Sequence, residues 1–351
     1  MRKKTVKNKK FKKPLIVLLV ILLILVIIAT SAGFFILGKL SKIKSTKIDK
    51  SSTALGINTA QFNSDYINNN YINILLIGVD TRDPSTDPGL ADSTMILTID
   101  KVHNKIKLTS LMRDMLLDNL RGEGATAGTD QDRLNVIYKQ GGGVNGGGQY
   151  AIKAINSNFD MNIKDYIKVD FGDFDKIVDA VGGVDINVSA AEVPVANDYI
   201  DEVSKLEGIT PDHITHAGMQ HLTGIQALGY CRIRYVGDED FQRTERQRTV
   251  LLQVFKKLTT LSPTQASSTL DTILPYVETS LSNTEILSDA SYILTHKMSN
   301  MEQFRLPEDK PGYNFTTYIK GVYFLGWDKA KNDADLLKFI YEDDASKVQT
   351  N

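Results

Sequence analysis

The run Tyr71-Ile72-Asn73-Ile74-Leu75-Leu76-Ile77-Gly78-Val79-Asp80 decides the fold of this chain. Its apolar, β-branched composition is typical of a buried strand, and a charged residue comes only at its end. A second carboxylate, Asp92, stands just before the next predicted strand at 94–99. Because a sheet holds the ends of its strands rigidly, carboxylates there are good candidates for catalytic groups. We predict a functional site at this end of the strand, with turn capping by both aspartates as the alternative.

On both sides of this run the sequence alternates between strand-like and helix-like patterns. Further strands are predicted at 94–99, 105–111, 166–169, 184–188, 229–235 and 321–325. Helices are predicted at 133–139, 149–159, 171–181, 223–228 and 241–258. This mixture predicts an α/β (mixed α+β) fold, in which helices flank a central mixed sheet. The glycine-rich segment 141–148 lacks the Lys-Ser/Thr of a nucleotide-binding loop and is predicted to be a mobile loop.

The N-terminal part of the chain predicts a membrane anchor. Residues 14–38 contain no charged side chain, and as a helix these 25 residues would reach about 37 Å, enough to cross a bilayer. This run is longer than the apolar part of a cleaved signal peptide. Residues 1–13 carry eight positive charges and no negative ones, which favours a cytoplasmic tail beside membrane lipid. We therefore predict a single-pass cell-membrane protein with an extracellular C-terminal domain.

The remaining chain is predicted to be a polar stalk at 39–70 followed by one domain at 71–345. The net charge of the whole chain is −1, and without the eight charges of the tail it is −9. An acidic domain does not attract polyanions in general, so we predict no nucleic-acid partner and expect any anion site to be local. The only cysteine, Cys231, has no internal disulfide partner and is interpreted as a small core residue.

Arginine is concentrated in one short segment. Lysine outnumbers arginine 30 to 11 in the chain, yet residues 232–248 contain no lysine and five arginines: Arg232, Arg234, Arg243, Arg246 and Arg248. Planar guanidinium groups bind phosphate through paired hydrogen bonds, which an ammonium group cannot do. The predicted strand places the first two on one face, and the predicted helix places Arg243 and Arg246 together, with Arg248 pointing away. The alternative is an ion-pair network with the neighbouring acidic residues Asp238, Glu239, Asp240 and Glu245.

The two strand-end carboxylates add a possible metal site. Mg²⁺ binds through one or two carboxylates together with the phosphates of a substrate. Asp80 and Asp92 beside an arginine cluster would suit that arrangement.

With these residues in place, the chain resembles the LytR–CpsA–Psr family of cell-wall ligases. The resemblance covers about residues 71–255 in the family's order. The matching segments are LLIGVDTR (75–82), ADSTM (91–95), SLMRD (110–114), RLN (133–135), FGDF (171–174), VGGVD (181–185), GMQHLTG (218–224), ALGYCRIR (227–234) and DFQRTERQ (240–247). The chain departs from the family at Ala91, Met112 and Tyr235, where the family usually has Arg or Ser, Pro, and His.

The resemblance implies a phosphotransferase that moves an anionic glycopolymer, of the teichoic acid or capsular type, from undecaprenyl pyrophosphate to a peptidoglycan hydroxyl. It also implies an apolar tunnel for the lipid. Asp80 and Asp92 would hold Mg²⁺ or Mn²⁺. The implied pyrophosphate-binding and catalytic arginines are Arg82, Arg113, Arg232, Arg234, Arg243 and Arg246, and the further substrate contacts are Asn135 and Gln247.

Two other functions stay open at this point. The same site could hydrolyse a polyprenyl pyrophosphate, with water as the acceptor. The chain could instead be a membrane-bound transcription regulator or attenuator, although a cytoplasmic tail of about 13 residues is too short to fold and the arginine cluster lies on the predicted outer side.

Overall fold

The computed structural model describes residues 38–81, 87–118, 133–237, 239–299 and 301–348. The chain divides into two units, Met1–Lys42 and Ile43–Asn351, and the fold below is that of the second. The predicted transmembrane segment lies outside the described residues, apart from Gly38. Within the described part of the chain, no helix is both long and apolar enough to cross a bilayer.

A mixed sheet of seven strands forms the centre of the second unit. The strands of the described chain are β1 Lys44–Ser45, β2 Tyr71–Asp80, β3 Leu90–Asp100, β4 Lys105–Leu111, β5 Asp165–Asp170, β6 Val184–Val188, β7 Gly218–Leu222, β8 Val277–Thr279, β9 Met301–Leu306, β10 Asn314–Ile319 and β11 Val322–Trp327. The central sheet has the order β1-β8-β5-β2-β3-β4-β9, while β6–β7 and β10–β11 form separate pairs. Strand β2 lies between β3, to which it is antiparallel, and β5, to which it is parallel.

Helices cover both faces of this sheet. They are α1 Asp65–Asn70, α2 Ile137–Gln140, α3 Gly147–Phe159, α4 Phe171–Ala180, α5 Glu192–Glu207, α6 Gly224–Arg232, α7 Glu239–Thr260, α8 Pro263–Ile273, α9 Asn283–Thr295 and α10 Lys329–Tyr341. Side chains alternate along a strand, so β2 serves two cores. Leu75 and Ile77 pack with α3 and α10, whereas Ile74 and Leu76 pack with α7 and α9. The predicted α/β architecture with a flanked central sheet is confirmed.

Residues 43–70, predicted to be a stalk, belong to the folded unit. Leu55, Phe62 and Ile67 are buried in the core that contains α3 and α10. β1 adds a parallel strand beside β8 at the edge of the sheet. The few apolar residues of this segment are separated by serine, threonine and asparagine. The sequence therefore shows no periodic pattern, although these apolar side chains are buried in the core.

The strand predicted at 229–235 is wrong, because α6 continues through Arg232 and the chain then leaves the helix. Thr223 and Gln226 form a capping box that starts this helix. Gly229 lets α6 approach α5 closely, since a Cβ atom there would lie 2.7 Å from the Ile200 side chain. Cys231 is buried in the same helix, as predicted for a core residue.

The glycine-rich segment is also packed rather than a free loop. It forms a 3-10 turn at Gly143–Asn145 and the first residues of α3. A Cβ atom at Gly147 would lie 2.5 Å from the Tyr138 carbonyl oxygen, and one at Gly148 would lie 2.3 Å from the Tyr166 ring. These glycines allow close contact between the start of α3 and its neighbours.

A buried ion-pair network ties the sheet to the end of α10. The Lys107 side chain is fully buried, and its Nζ lies 2.7 Å from Asp100 and 2.8 Å from Glu342. It also donates to the Ile340 carbonyl at 2.7 Å. Asp100, His103 and Glu342 are close enough together to hold a cation. The Lys107 ammonium group already pairs with both carboxylates of this cluster, so the cluster is a structural ion-pair network.

We predict that Lys107→Met lowers the free energy of unfolding by about 3–5 kcal/mol, because it leaves the buried Asp100 carboxylate without its cation. Urea denaturation measures this loss. Lys105→Met is the matched control, because Lys105 also binds Glu342 but keeps 36% of its side chain exposed. That variant should lose about 0–1 kcal/mol. Equal losses in the two variants would contradict the assignment.

The same network should make the free energy of unfolding depend on pH in the acid range. Burial raises the pKa of Glu342, but hydrogen bonds from Lys105 and Lys107 outweigh this and lower it to about 2. An unfolded glutamate has a pKa of about 4.3, so the stabilisation is present above that pH and is lost as the pH falls towards 2. Lys107→Met should flatten this part of the stability profile.

Candidate active site

A polar pocket of about 150 Å³ lies where β2 ends. It is lined by the end of β2, the start of β3, the start of α4, helices α5 and α6 with the turn after α6, and α7. The lining residues are Asp80, Asp92, Phe171, Tyr199, Cys231, Arg232, Arg234, Arg243 and Gln247. The structure therefore brings both predicted metal-binding aspartates together with three of the predicted arginines and Gln247.

A β-bulge brings Asp92 to the pocket. Gly78 is paired with Ser93, but the next residue, Val79, is paired with Ala91, so Asp92 is an extra residue in β3. In regular pairing Asp80 would oppose Ala91, and Asp92 would point to the other face of the sheet. Bulges re-aim side chains in this way. The extra residue allows both aspartates to line one pocket.

The two aspartates differ in their partners. Asp92 Oδ1 lies 2.7 Å from Arg113 Nη1, and Asp92 Oδ2 lies 3.7 Å from Arg234 Nη2. Asp80 is exposed at the end of β2 and forms no ion pair with any residue that the structure describes. Asp92 is therefore an ion-paired carboxylate that orients Arg113 and Arg234, whereas Asp80 lines the pocket at the end of β2.

Helix α5 holds Arg232 in place. The Arg232 guanidinium group lies 5.3 Å from the centre of the Tyr199 ring, and its Nη2 donates to Glu202 at 3.2 Å. Tyr199 and Glu202 are both residues of α5. Such a cation–π contact with an ion pair fixes the plane of the guanidinium group. Arg232 is thereby held at the pocket wall before any ligand binds.

The two buried arginines that follow Arg243 on α7 lie outside the pocket. Arg246 is directed at Glu192 and the backbone after α6. Arg248, predicted to point away from Arg243 and Arg246, is buried with only 8% exposure and donates to Ser110 and Gln303. Burial, with a smaller effect of the nearby Arg305, lowers the pKa of Arg248 to about 10. The sequence separated Arg248 from Arg243 but not Arg246, because helical spacing alone does not show which side of the helix faces the pocket.

Two further predicted residues lie behind the pocket wall. Arg113 binds Asp92, as described above, and its carbonyl accepts from the backbone N–H of Asn135 at 3.0 Å. Asn135 is buried and, like Arg113, is absent from the pocket lining. Arg113 therefore supports Asp92 directly, and Asn135 holds the backbone of Arg113. Arg82 lies outside the described residues, as do Asp238 and the side chains of Glu239 and Asp240.

A larger apolar cavity of about 360 Å³ adjoins the polar pocket. Its walls come from the sheet, α4, α6, α7 and α8, and include Leu76, Met95, Val169, Leu251, Val254 and Phe255. Phe171, Cys231, Arg232 and Gln247 line both spaces. The apolar residues of the cavity walls have the sequence pattern of ordinary core residues, so only the structure shows that they border a cavity.

The carboxylates of the pocket fit a divalent metal with oxygen ligands. Mg²⁺ typically takes one or two carboxylates and completes its shell with phosphate and water oxygens. Asp80 and Asp92 supply such a pair, beside arginines that suit a phosphate group. Asp80 and Asp92 are the residues that would hold Mg²⁺ or Mn²⁺, with phosphate and water as the other oxygen ligands.

Comparison with known proteins agrees with this arrangement. The family model LytR_cpsA_psr matches residues 35–337. A protein of Bacillus mycoides named polyisoprenyl-teichoic acid–peptidoglycan teichoic acid transferase TagU is 31% identical over 292 residues, which are 83% of this chain and 83% of that protein.

Solved structures share the fold. Protein gbs0355 from Streptococcus agalactiae has a TM-score of 0.59 at 22% identity, with 84% of this chain and 91% of that chain covered. The structure of TagT bound to LI-WTA has a TM-score of 0.57 at 21% identity, with 78% and 92% covered. The family match includes the pocket and nearly all of the strands and helices described above. This chain therefore belongs to the LytR–CpsA–Psr family.

Proposed function

We propose that this protein transfers an anionic glycopolymer, as its phosphate, from a polyprenyl pyrophosphate carrier to a hydroxyl group of peptidoglycan. Membership of the family and the teichoic acid transferase name of the TagU relative support this reaction class. The polymer is of the teichoic acid or capsular type. The acceptor is a cell-wall polymer, so in this proposal the domain works on the outer side of the membrane, anchored by residues 14–38.

One observation carries the proposal: the arginine-lined pocket and the apolar cavity share part of their walls. A ligand that fills both must have an anionic end and an apolar chain. A polyprenyl pyrophosphate has this form, with two phosphates for the guanidinium groups and a hydrocarbon chain for the cavity. Arg232 and Gln247 stand at the boundary, where the first phosphate joins the lipid.

The transfer step needs positioning and charge neutralisation more than a covalent nucleophile. The acceptor hydroxyl oxygen attacks the phosphorus that carries the polymer, and the bond from that phosphorus to the bridging oxygen breaks. The products are a phosphodiester to peptidoglycan and a polyprenyl phosphate. Arg232, Arg234 and Arg243 stabilise the negative charge that develops on the phosphates. The proton of the hydroxyl group passes to Asp80, the pocket carboxylate without an arginine partner among the described residues.

Asp80 and Asp92 are the residues that would hold a divalent metal, and such a metal would supply further neutralisation of the phosphate oxygens. Independently of it, Asp92 orients Arg113 and Arg234 through its two oxygens. The apolar walls around Phe171 exclude water from the lipid side of the pocket. Exclusion of water favours transfer to a sugar hydroxyl over hydrolysis.

We predict that Arg234→Lys and Arg243→Lys each lower the rate of polymer transfer roughly tenfold to a hundredfold. Lysine keeps the charge but loses the second hydrogen bond of the fork, worth about 1.5–3 kcal/mol with a charged partner. The measurement is polymer transfer to peptidoglycan with Mg²⁺ present, after circular dichroism has shown intact folding. Arg248→Lys, on the same helix but outside the pocket, should keep its transfer rate.

Near wild-type transfer by both pocket variants would contradict the phosphate assignment and favour a structural ion-pair network. Product analysis addresses the acceptor in the same assay. Wild-type protein should form polymer linked to peptidoglycan and release little free polymer phosphate when peptidoglycan is left out. Equal release with and without peptidoglycan would show a hydrolase instead.

A second prediction concerns the apolar cavity. Leu251→Trp should narrow it and raise KM for a long-chain polyprenyl donor about tenfold or more, while a donor with a short lipid is affected much less. Steady-state kinetics with donors of two chain lengths measure the difference. Leu294→Trp, on the exposed face of α9, is the control and should change neither value. A Leu251→Trp variant that treats both donors like wild type would exclude the cavity as the lipid site.

A further inference from the structure

Arg246 joins three parts of the chain that meet behind the pocket. Its side chain is only 4% exposed. Nε donates to Glu192 Oε1 at 2.7 Å, Nη1 donates to the Ile233 carbonyl at 3.1 Å, and Nη2 donates to the Val236 carbonyl at 2.9 Å. Nη2 also lies 3.2 Å from Gln242 Oε1. All three nitrogen atoms of the guanidinium group are therefore used inside the protein.

The carboxylate that receives Arg246 is itself held in place. Glu192 is buried in the first turn of α5, and its Oε2 accepts from the backbone N–H of Ser189 at 2.8 Å. Burial raises the pKa of Glu192, but the hydrogen bonds from Ser189 and Arg246 outweigh this and lower it. A buried ion pair with such complete hydrogen bonding is geometrically well defined. Glu192 thus anchors Arg246 to α5.

What Arg246 holds is the turn that presents Arg234. The two carbonyls that it binds, those of Ile233 and Val236, stand on either side of Arg234 and Tyr235. Arg234 lines the pocket and approaches Asp92, whereas Arg246 does not line the pocket. Segment 233–236 belongs to no helix or strand. The Ile233 N–H donates to the Tyr230 carbonyl at 3.3 Å where α6 ends, and the two hydrogen bonds from Arg246 hold the segment at both of its ends.

We propose that Arg246, anchored by Glu192, is a positioning residue that fixes the 233–236 turn and so aims Arg234 into the pocket. The proposal is that it acts through the backbone and not by contact with a phosphate. Its catalytic consequence rests on the proposed function, but its effect on the turn does not. Only a planar fork can reach the carboxylate and both carbonyls at once, so lysine cannot replace it.

The test uses the full-length protein in detergent and the substitution Arg246→Lys. Hydrogen exchange measured by mass spectrometry should show faster exchange in a peptide that covers residues 233–236, because the turn opens more often. The kcat/KM for polymer transfer should fall about tenfold to a hundredfold, with Arg232, Arg234 and Arg243 all unchanged in sequence. Glu192→Gln is a second variant, which keeps the size of the side chain and should give the same two effects more weakly.

Arg248→Lys is the matched control, because Arg248 is a buried arginine on the same helix whose partners are Ser110 and Gln303. It should leave exchange at 233–236 and kcat/KM as in wild type, even if the protein becomes less stable. Wild-type exchange at 233–236 in Arg246→Lys would overturn the proposal, as would equal changes in the Arg248 variant. If Arg246→Lys shows faster exchange at 233–236 but the wild-type protein transfers no polymer, only the proposed function is overturned.

Discussion

The site depends on the pairing of β2 with β3, in which β3 contains one extra residue as a β-bulge. β2 is buried between two strands and two layers of helices, so it cannot shift its register without moving its apolar side chains to the wrong face. The bulge at Asp92 must therefore be absorbed by β3. It turns a carboxylate that would face the α3 side towards the α7 side, where Asp80 and the arginines lie. Gly78 permits this arrangement, since a Cβ atom there would lie 2.8 Å from the Phe171 ring.

The arginines near this bulge fall into two groups, those that line the pocket and one that forms hydrogen bonds inside the protein. Arg234 and Arg243 line the pocket, and Arg232 does so while supported by Tyr199 and Glu202. All three guanidinium nitrogen atoms of Arg246 form hydrogen bonds inside the protein. Buried guanidinium groups need such partners, because an unpaired charge in the interior is very costly. Helix α5 supplies the partners for both groups, through Glu192 for Arg246 and through Glu202 for Arg232.

Much of this structure is predictable from the sequence where local pattern and burial agree. β4 and β6 coincide with the predicted strands at 105–111 and 184–188, and β2 carries the expected carboxylate at its end. The predictions fail where long-range contacts override the pattern. Apolar-polar alternation at 229–235 suggested a strand, but the capping box at Thr223 and the close packing of Gly229 on α5 make the segment helical up to Arg232.

The arginine cluster shows the same limit within the site. Its composition predicted a local cluster of guanidinium groups, and three of the five arginines line one pocket. Arg243 and Arg246 are three residues apart on a helix, so spacing placed them together, yet only Arg243 lines the pocket. The difference arises from the path of the 233–236 turn and from Glu192, which is 54 residues away in sequence. The cavity beside the pocket likewise depends on gaps between elements, which apolar periodicity does not reveal.

The central claim is that one amphipathic ligand occupies the polar pocket and the apolar cavity together. A structure of the protein with a bound polyprenyl-pyrophosphate-linked glycan tests it most directly. The account predicts phosphate oxygens within hydrogen-bond distance of Arg232, Arg234 and Arg243, and a lipid chain between β2 and α7. A lipid chain bound elsewhere on the protein, or phosphates that contact none of these arginines, would contradict it.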